Sequence, residues 1–340
     1  YPANSVTLIT EKIIDLRGFD AKEPNNSDAN RKIEGNNRYS HSNIRQWLNK
    51  SDLNWFTKAH DADEPPMDSG MSQPTGYDDI QGFLSNFASA EIAAILYTSL
   101  VVEKSTTDGG GTETLLDRLF LLSMAEVGFT DGNALSIFTS NESRKAYLTL
   151  QAFNNTLSNI KPSTIGNSAP WWLRSPFANQ SYLTNFVFTD GGNNYTSSNL
   201  GNLGIRPAAN IVNNIYVTDT VDVDGCYRIL WVPGKPTVLS PSSEVKMNNE
   251  IIRFAWTHNN AEGDTQSKFD LQWSSNGGQT WNTITQASPS QYYDMPANTL
   301  PASTIVWRVR TYSADGLASE YSDQAAFTSA GKPDTPVLTK

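Results

Sequence analysis

The chain has 340 residues, and its 25 Lys and Arg against 35 Asp and Glu leave a net charge of −10; such an acidic surface repels phosphate backbones and anionic headgroups, which disfavours nucleic-acid and membrane-surface roles. With 38% hydrophobic and 18% charged residues, and nine Trp, thirteen Tyr and fourteen Phe, it can build packed cores. A single cysteine, Cys226, and three histidines exclude an internal disulfide and a four-thiolate zinc site.

At roughly 150 residues per domain the length predicts about two domains. No apolar run approaches the ~18 residues of a membrane span. Tyr1-Pro2-Ala3-Asn4 has neither an initiator Met nor a leader pattern and reads as the interior of a longer protein. The first domain is expected over residues 1–230 and mixes element types. Ser42 caps a predicted helix that puts Ile44, Trp47 and Leu48 on one face. His60 to Gln81 is rich in Asp, Pro, Gly and Ser and reads as a long surface loop carrying Asp61, Asp63, Glu64, Asp68, Asp78 and Asp79. A second helix is expected after Phe87-Ala88-Ser89, where Ile92, Leu96 and Leu100 recur every fourth residue. Leu116 to Leu122 is an apolar run of strand length. Trp171 to Pro176, the alternating Tyr182 to Phe188, a tight Thr189-Asp190-Gly191-Gly192 turn and Leu203 to Ala208 then read as strand, hairpin and return strand. On that strand Trp171 and Trp172 point to opposite faces. Trp172 is assigned to the core and Trp171 to a helix-covering or exposed position, an assignment that the reverse parity would exchange.

Trp231-Val232-Pro233-Gly234-Lys235-Pro236-Thr237 marks the domain boundary. Beyond it, Ile251 to Trp256, Phe269 to Trp273, Ile305 to Arg310 and Ala326 to Thr328 alternate with period two and no helical pattern intervenes. Roughly seven short strands in about 95 residues are the arithmetic of an immunoglobulin-like sandwich. The Pro-rich entry, Trp256, and Trp307-Arg308-Val309-Arg310-Thr311-Tyr312 followed by Ser319-Glu320-Tyr321-Ser322 resemble a fibronectin type III module over residues 235–330. Gly234-Lys235-Pro236 returns as Gly331-Lys332-Pro333, so residues 331–340 are expected to link to a further module. Ser274 to Trp281 resembles an Asp-box hairpin with Asn276 in the usual Asp position; the turn chemistry of its two glycines accounts for the same residues.

In the first domain, Asn43-Ile44-Arg45-Gln46-Trp47-Leu48-Asn49, Gly82-Phe83-Leu84, Arg118-Leu119-Phe120-Leu121-Leu122-Ser123, Trp171-Trp172-Leu173-Arg174-Ser175-Pro176 and Gly204-Ile205-Arg206-Pro207-Ala208 together resemble a family of uncharacterised domains frequent in Firmicutes and their phages. The late strand pattern is similar to C-type-lectin-like and formylglycine-generating-enzyme-like folds. The expected fold class is therefore an α+β, C-type-lectin-like domain followed by an all-β immunoglobulin-like sandwich.

Chemistry is sparse. His41, His60 and His258 lack metalloprotease spacing, and Gly109-Gly110-Gly111-Thr112 lacks the lysine of a phosphate loop. Formylglycine-generating enzymes work through cysteines, whereas Cys226 reads as a packed residue of a closing strand. The acidic loop leaves three readings open: Asp61, Asp63, Asp78 and Asp79 as calcium ligands, a pair of its carboxylates as acid and base for glycan hydrolysis, or a solvated loop. Calcium is the one cofactor it admits.

Residues 178–202 are dominated by Asn, Ser, Thr, Tyr and Gly, a composition suited to adaptable binding. Tyr182, Asn185, Asn193, Asn194, Tyr195, Ser197, Ser198 and Asn199 are the candidate ligand contacts, against the alternative of an ordinary polar hairpin. The expected function is a non-enzymatic surface-binding module of a phage tail or baseplate, or of a bacterial extracellular adhesin, recognising a cell-surface glycan or protein. It would work on a virion or cell surface as part of a larger assembly, with a homotrimer among the options because many tail adhesins are trimers. The alternatives are a glycan hydrolase using loop 61–79 and a purely structural virion module.

Overall fold

The structure, a computed structural model, describes residues 2–3, 5–73, 76–130, 136–156, 164–213, 215–221, 227–260 and 263–331; Cys226 lies outside them. Two compact units divide the chain, Tyr1–Asn213 and Asn214–Lys340.

In the first unit the strands are β1 (Ser5–Ile9), β2 (Asp15–Leu16), β3 (Ile95–Leu96), β4 (Thr98–Glu103), β5 (Thr112–Asp117), β6 (Leu119–Phe120), β7 (Trp171–Pro176), β8 (Leu183–Val187), β9 (Asn193–Ser197), β10 (Gly204–Ile205) and β11 (Ala208–Val212). Its α-helices are α1 (Arg31–Glu34), α2 (Asn43–Leu48), α3 (Ser89–Ala94), α4 (Asn141–Arg144) and α5 (Leu150–Asn155), each no more than six residues long. One sheet has the order β1-β11-β3, with β6 also on β11; a second has the order β2-β10-β7-β8-β9; β4 and β5 form a separate hairpin.

The α+β lectin-like expectation is overturned. Strand makes up 35% of the chain and helix 12%, the helices are small, and no lectin-like domain is evident among the described residues. The misreading has a local cause at Ile92, Leu96 and Leu100. Helix α3 ends at Ala94 and the chain turns into β3 and β4. Along β4, Thr98, Leu100 and Val102 are buried while Ser99, Val101 and Glu103 are exposed, a period of two. The β-branched Ile95, Thr98, Val101 and Val102 favour that extended form, and a four-residue recurrence fits both periods. Helix α2 does form, capped by Ser42 Oγ accepting from Arg45 N (3.4 Å), with Ile44, Trp47 and Leu48 buried.

Trp171 and Trp172 are both buried, so neither ring takes the exposed position that was one of the two alternatives for Trp171. Trp172 meets Phe19 and Phe186 and donates Nε1–H to the Arg17 carbonyl (2.8 Å). Trp171 meets Phe138 and donates to the Arg144 carbonyl (3.0 Å). The other motif residues are scaffolding too. Arg45 holds Asp117 through two bonds (2.8 and 2.7 Å). Asn49 Oδ1 accepts from Arg118 N and Leu119 N while its Nδ2 donates to the Leu119 carbonyl. Arg174, on β7, grips Glu126 at 2.6 and 2.9 Å and donates to the Leu121 carbonyl. Arg206 donates to the Thr10 carbonyl and lies over Trp171.

The second unit contains a short pair, β12 (Tyr216–Val217) with β13 (Ile229–Leu230), and two larger sheets. Strands β14 (Gly234–Ser240), β16 (Ile252–Asn259) and β19 (Tyr292–Met295) form one. The other runs β15-β21-β20-β17-β18, from β15 (Val245–Met247), β17 (Lys268–Ser274), β18 (Asn282–Ala287), β20 (Ser303–Tyr312) and β21 (Ala325–Ala330). Phe254, Trp256, Phe269, Leu271, Trp307 and Val309 fill the core. The Asp-box-like segment is the β17–β18 turn, with Gly277 and Gly278 at φ of 69° and 87° and Asn276 Oδ1 accepting from Thr280 N. On the outer face Arg308 lies between Trp281 and Tyr321, and Arg310 between Tyr321 and Tyr312.

Two predictions follow from these buried charges. Glu126→Ala leaves the Arg174 guanidinium buried without its partner, so urea unfolding of the first unit should show a loss of about 3–5 kcal/mol, part of which Glu126→Leu combined with Arg174→Met should restore. In the second unit, burial pushes the Asp270 carboxyl up, but hydrogen bonds from Thr285, Tyr312 and Arg310 outweigh it and hold the pKa below the ordinary value. The folded form therefore binds fewer protons than the unfolded one. Its stabilisation is fully present above the ordinary carboxylate pKa and lost as pH falls through the depressed one. Asp270→Asn should cost about 2 kcal/mol near neutrality, and the gap to the parent in thermal unfolding should close as the pH is lowered.

Candidate functional site

A group of buried ionisable side chains forms where the segment after Phe19 meets the N-terminus of α2 and the loop around His60. Asp20 joins two segments: Oδ2 accepts from Asn36 N and Oδ1 from Asn43 N, both at 3.0 Å. Asn43 returns the link, accepting from Ala21 N (2.8 Å) and donating to the Glu64 carbonyl (3.2 Å). Glu23 accepts from Asn36 Nδ2 at 3.2 Å on Oε1 and from Asn26 Nδ2 on Oε2. Asp63 closes a turn onto the His60 carbonyl (3.1 Å). Its Oδ2 accepts from Ala59 N (2.7 Å) and Gln46 Nε2 (3.4 Å), and its Oδ1 is buried without a hydrogen-bond partner.

Asp20, Glu23 and Asp63 are thus withdrawn from water, at 1%, 0% and 0% exposure. The His60 side chain, 21% exposed, lies at their edge with Nε2 at 2.7 Å from Glu23 Oε1. That contact has the length of a hydrogen bond without its direction, since Nε2 has no hydrogen-bond partner. The His41 ring lies 4.6 Å from the His60 ring. Burial, reinforced by the charges of Glu23 and Asp63, drives the Asp20 pKa well above the carboxylate range. Burial raises Asp63 to about 6. His41 is lowered to about 4 by burial and by the nearby Arg38 and His60.

Of the loop carboxylates read as metal ligands, only Asp63 enters this cluster. Asp61 and Asp79 are exposed and Asp78 is half-buried; Asp79 lines a separate cavity of about 650 Å³ with Trp47, Leu53, Phe83 and Gln151. Asp20 and Glu23 carry no expectation from the sequence, and His60 figures there only as the start of the acidic loop and as a histidine without metalloprotease spacing. No local spacing joins positions 23, 60 and 63; the concentration of Asn around Asn26, Asn36 and Asn43 is the one local signal, because buried carboxylates need such donors.

The polar hairpin separates into two groups. Asn185 donates to the Ser175 and Pro176 carbonyls, Ser198 bonds Thr184 and the Tyr182 carbonyl, and Asn199 donates to the Ile33 carbonyl; all three are buried. Tyr182 and Ser197 are half-buried. Asn193, Asn194 and Tyr195 are exposed on β9, the outer strand of its sheet. Tyr195 is 46% exposed and lies against Phe177, which the sequence reading missed, with ring centroids 4.1 Å apart. The turn into β9 is fixed by Gly191, at φ 83°, where a Cβ would meet the Asn141 carbonyl oxygen at 1.8 Å.

A strand-rich first unit with a buried carboxylate–imidazole cluster and an aromatic edge, joined to an immunoglobulin-like sandwich, defines the class. The chain belongs to the family described as "Domain of unknown function (DUF6273)", whose model matches residues 4–213. Residues 236–331 match the Rha78A-like N-terminal immunoglobulin domain, with fibronectin type III domains among the structural neighbours. No curated protein matches the chain. Similar solved structures include the α-L-rhamnosidase from Dictyoglumus thermophilum, at 19% identity and TM-score 0.25, covering 29% of this chain and 12% of that one. A Streptomyces avermitilis α-L-rhamnosidase complexed with L-rhamnose is 19% identical at TM-score 0.22, covering 29% and 10%. The sixth fibronectin type III domain of human fibronectin type III domain containing protein 3 is 19% identical at TM-score 0.21, covering 31% and 91%. The chain thus spans about a tenth of the length of the two rhamnosidases.

Asn43→Ala removes both side-chain bonds that tie the Asp20 segment to α2 and the Glu64 backbone, leaving the Ala21 N–H unpaired. Urea unfolding should register a loss of about 1–3 kcal/mol, whereas Asn193→Ala on the exposed strand should stay within about 0.5 kcal/mol of the parent.

Proposed function

We propose that the first unit is a non-catalytic binding module for a cell-surface glycan, with β9 as its contact surface. The supporting observation is the contact of the Tyr195 ring with Phe177, tilted by 37°, at an open sheet edge beside the exposed amides of Asn193 and Asn194. An exposed aromatic face suits the C–H side of a sugar, and neighbouring amides suit its hydroxyls. Asn194 Oδ1 already accepts from Tyr195 N (2.9 Å), which leaves its NH₂ as the donor toward a ligand. The uncharged character of this edge favours a neutral, hydroxyl-rich ligand over a charged polymer. The immunoglobulin-like unit serves as a spacer in a modular protein, and the reading implies a station on a bacterial or virion surface within a larger assembly.

A glycan array probed with the intact chain should yield a hit that weakens at least tenfold in Tyr195→Ala and less in Asn193→Ala, with unchanged thermal unfolding. Absence of any bound surface polymer, or a hit indifferent to Tyr195, removes the proposal. Release of reducing sugar from cell-wall material would instead support a hydrolase.

A further inference from the structure

We infer that Glu23, His60 and Asp63 form a binding site for a divalent transition-metal ion of the zinc class, independent of the glycan-binding edge. One ligand atom from each of the three side chains lies within 4.8 Å of the other two. Three features separate this group from an ordinary acidic patch. The first is desolvation: Glu23 and Asp63 are fully buried, and carboxylates removed from water either take up a proton or gain from a compensating charge. No lysine or arginine forms an ion pair with Asp20, Glu23 or Asp63 among the described residues, and the one basic side chain at ion-pair distance from them is the His60 imidazole.

The second is the division of labour among the oxygens. Donors from Ala59 and Gln46 fall on Asp63 Oδ2 and leave Oδ1 unpartnered, although the side chain is wholly buried. His60 Nε2 is likewise buried as an atom and without a hydrogen-bond partner, despite its closeness to Glu23 Oε1. Two groups that approach without sharing a proton in line are arranged as ligands of a common third atom are. The donors on the far oxygens, Asn26 on Glu23 Oε2 and Ala59 and Gln46 on Asp63 Oδ2, hold the carboxylates in orientation as outer-shell partners do around a metal, while Asn36 also donates to Glu23 Oε1, the oxygen beside His60.

The third is ligand type. One imidazole and two carboxylates match zinc or a neighbouring first-row ion, at metal–ligand distances of about 2.0–2.2 Å. Calcium requires about six to eight oxygens and has little use for an imidazole. Side-chain movements would draw the three atoms, now within 4.8 Å of one another, onto one ion, and the partly exposed side chain of His60 marks the route in from solvent. The three side chains join the segment after Phe19 to the loop at 60–63, so the ion would fasten two parts of the first unit together.

The test is titration of the chelator-treated intact chain with zinc chloride. Calorimetry should show one site per chain, and thermal unfolding should move up by about 5–10 °C at a hundredfold excess over Kd. Cobalt(II) as a spectroscopic probe should give visible d–d absorption that zinc displaces. His60→Gln, a change at the exposed rim, should abolish the saturable site and the cobalt spectrum while leaving the metal-free unfolding profile near that of the parent; Asp63→Asn should weaken binding at least tenfold. Asp61→Asn and Asp79→Asn should bind zinc as the parent does. Failure of the parent chain to bind zinc, saturable binding of calcium alone, or zinc binding retained in His60→Gln overturns the inference. Glycan binding by Tyr195 is read on separate variants and stands or falls alone.

Discussion

Charge taken out of water must meet a partner, and this constraint organises the first unit. Four motif arginines obey it inside the fold: Arg45 with Asp117, Arg174 with Glu126, Arg118 on the Ile92 carbonyl and Arg206 on the Thr10 carbonyl. Each joins segments distant in sequence that short helices and two-residue strands would hold weakly by themselves. The buried acids at Asp20, Glu23 and Asp63 are held by amide donors instead, with a single imidazole at their border. That contrast marks the cluster out from the structural ion pairs around it.

Much of the second unit was legible because period-two alternation is a local signal. Ile252–Asn259 buries Ile252, Phe254, Trp256 and His258 in strict alternation, and Ser303–Tyr312 does the same with Ile305, Trp307, Val309 and Thr311. The turn at Asn276-Gly277-Gly278 was equally readable, since its positive φ angles demand glycine. In the first unit, helix α2 was visible from its cap and apolar face. Ile92, Leu96 and Leu100 misled because their spacing satisfies two periods, and only the sheet partners of β3 and β4 decide between them.

The sites were less legible than the fold. Alternation could not show that Trp171 and Trp172 are both enclosed, since that depends on which elements cover each face of the sheet. Asn185, Ser198 and Asn199 look like ligand contacts in the text, yet their side chains satisfy backbone carbonyls of their own fold. Residue type states what a side chain can bond, and tertiary placement states whether that capacity is already used. The carboxylate cluster joins residues about forty positions apart, a separation that no motif spacing encodes.

The outermost position of β9 bears on how the first unit behaves when concentrated. At the other margin of the same sheet β2 has only two residues, and α5 lies against it. β9 is a five-residue strand paired on one side only, so alternate main-chain groups turn outward, and it has neither lysine nor proline to discourage an approaching strand. Solubility there rests on the brevity of the strand and on the hydration of Asn193, Asn194 and Thr196. Substituting valine or isoleucine along it would turn a wettable border into a template for fibrous stacking.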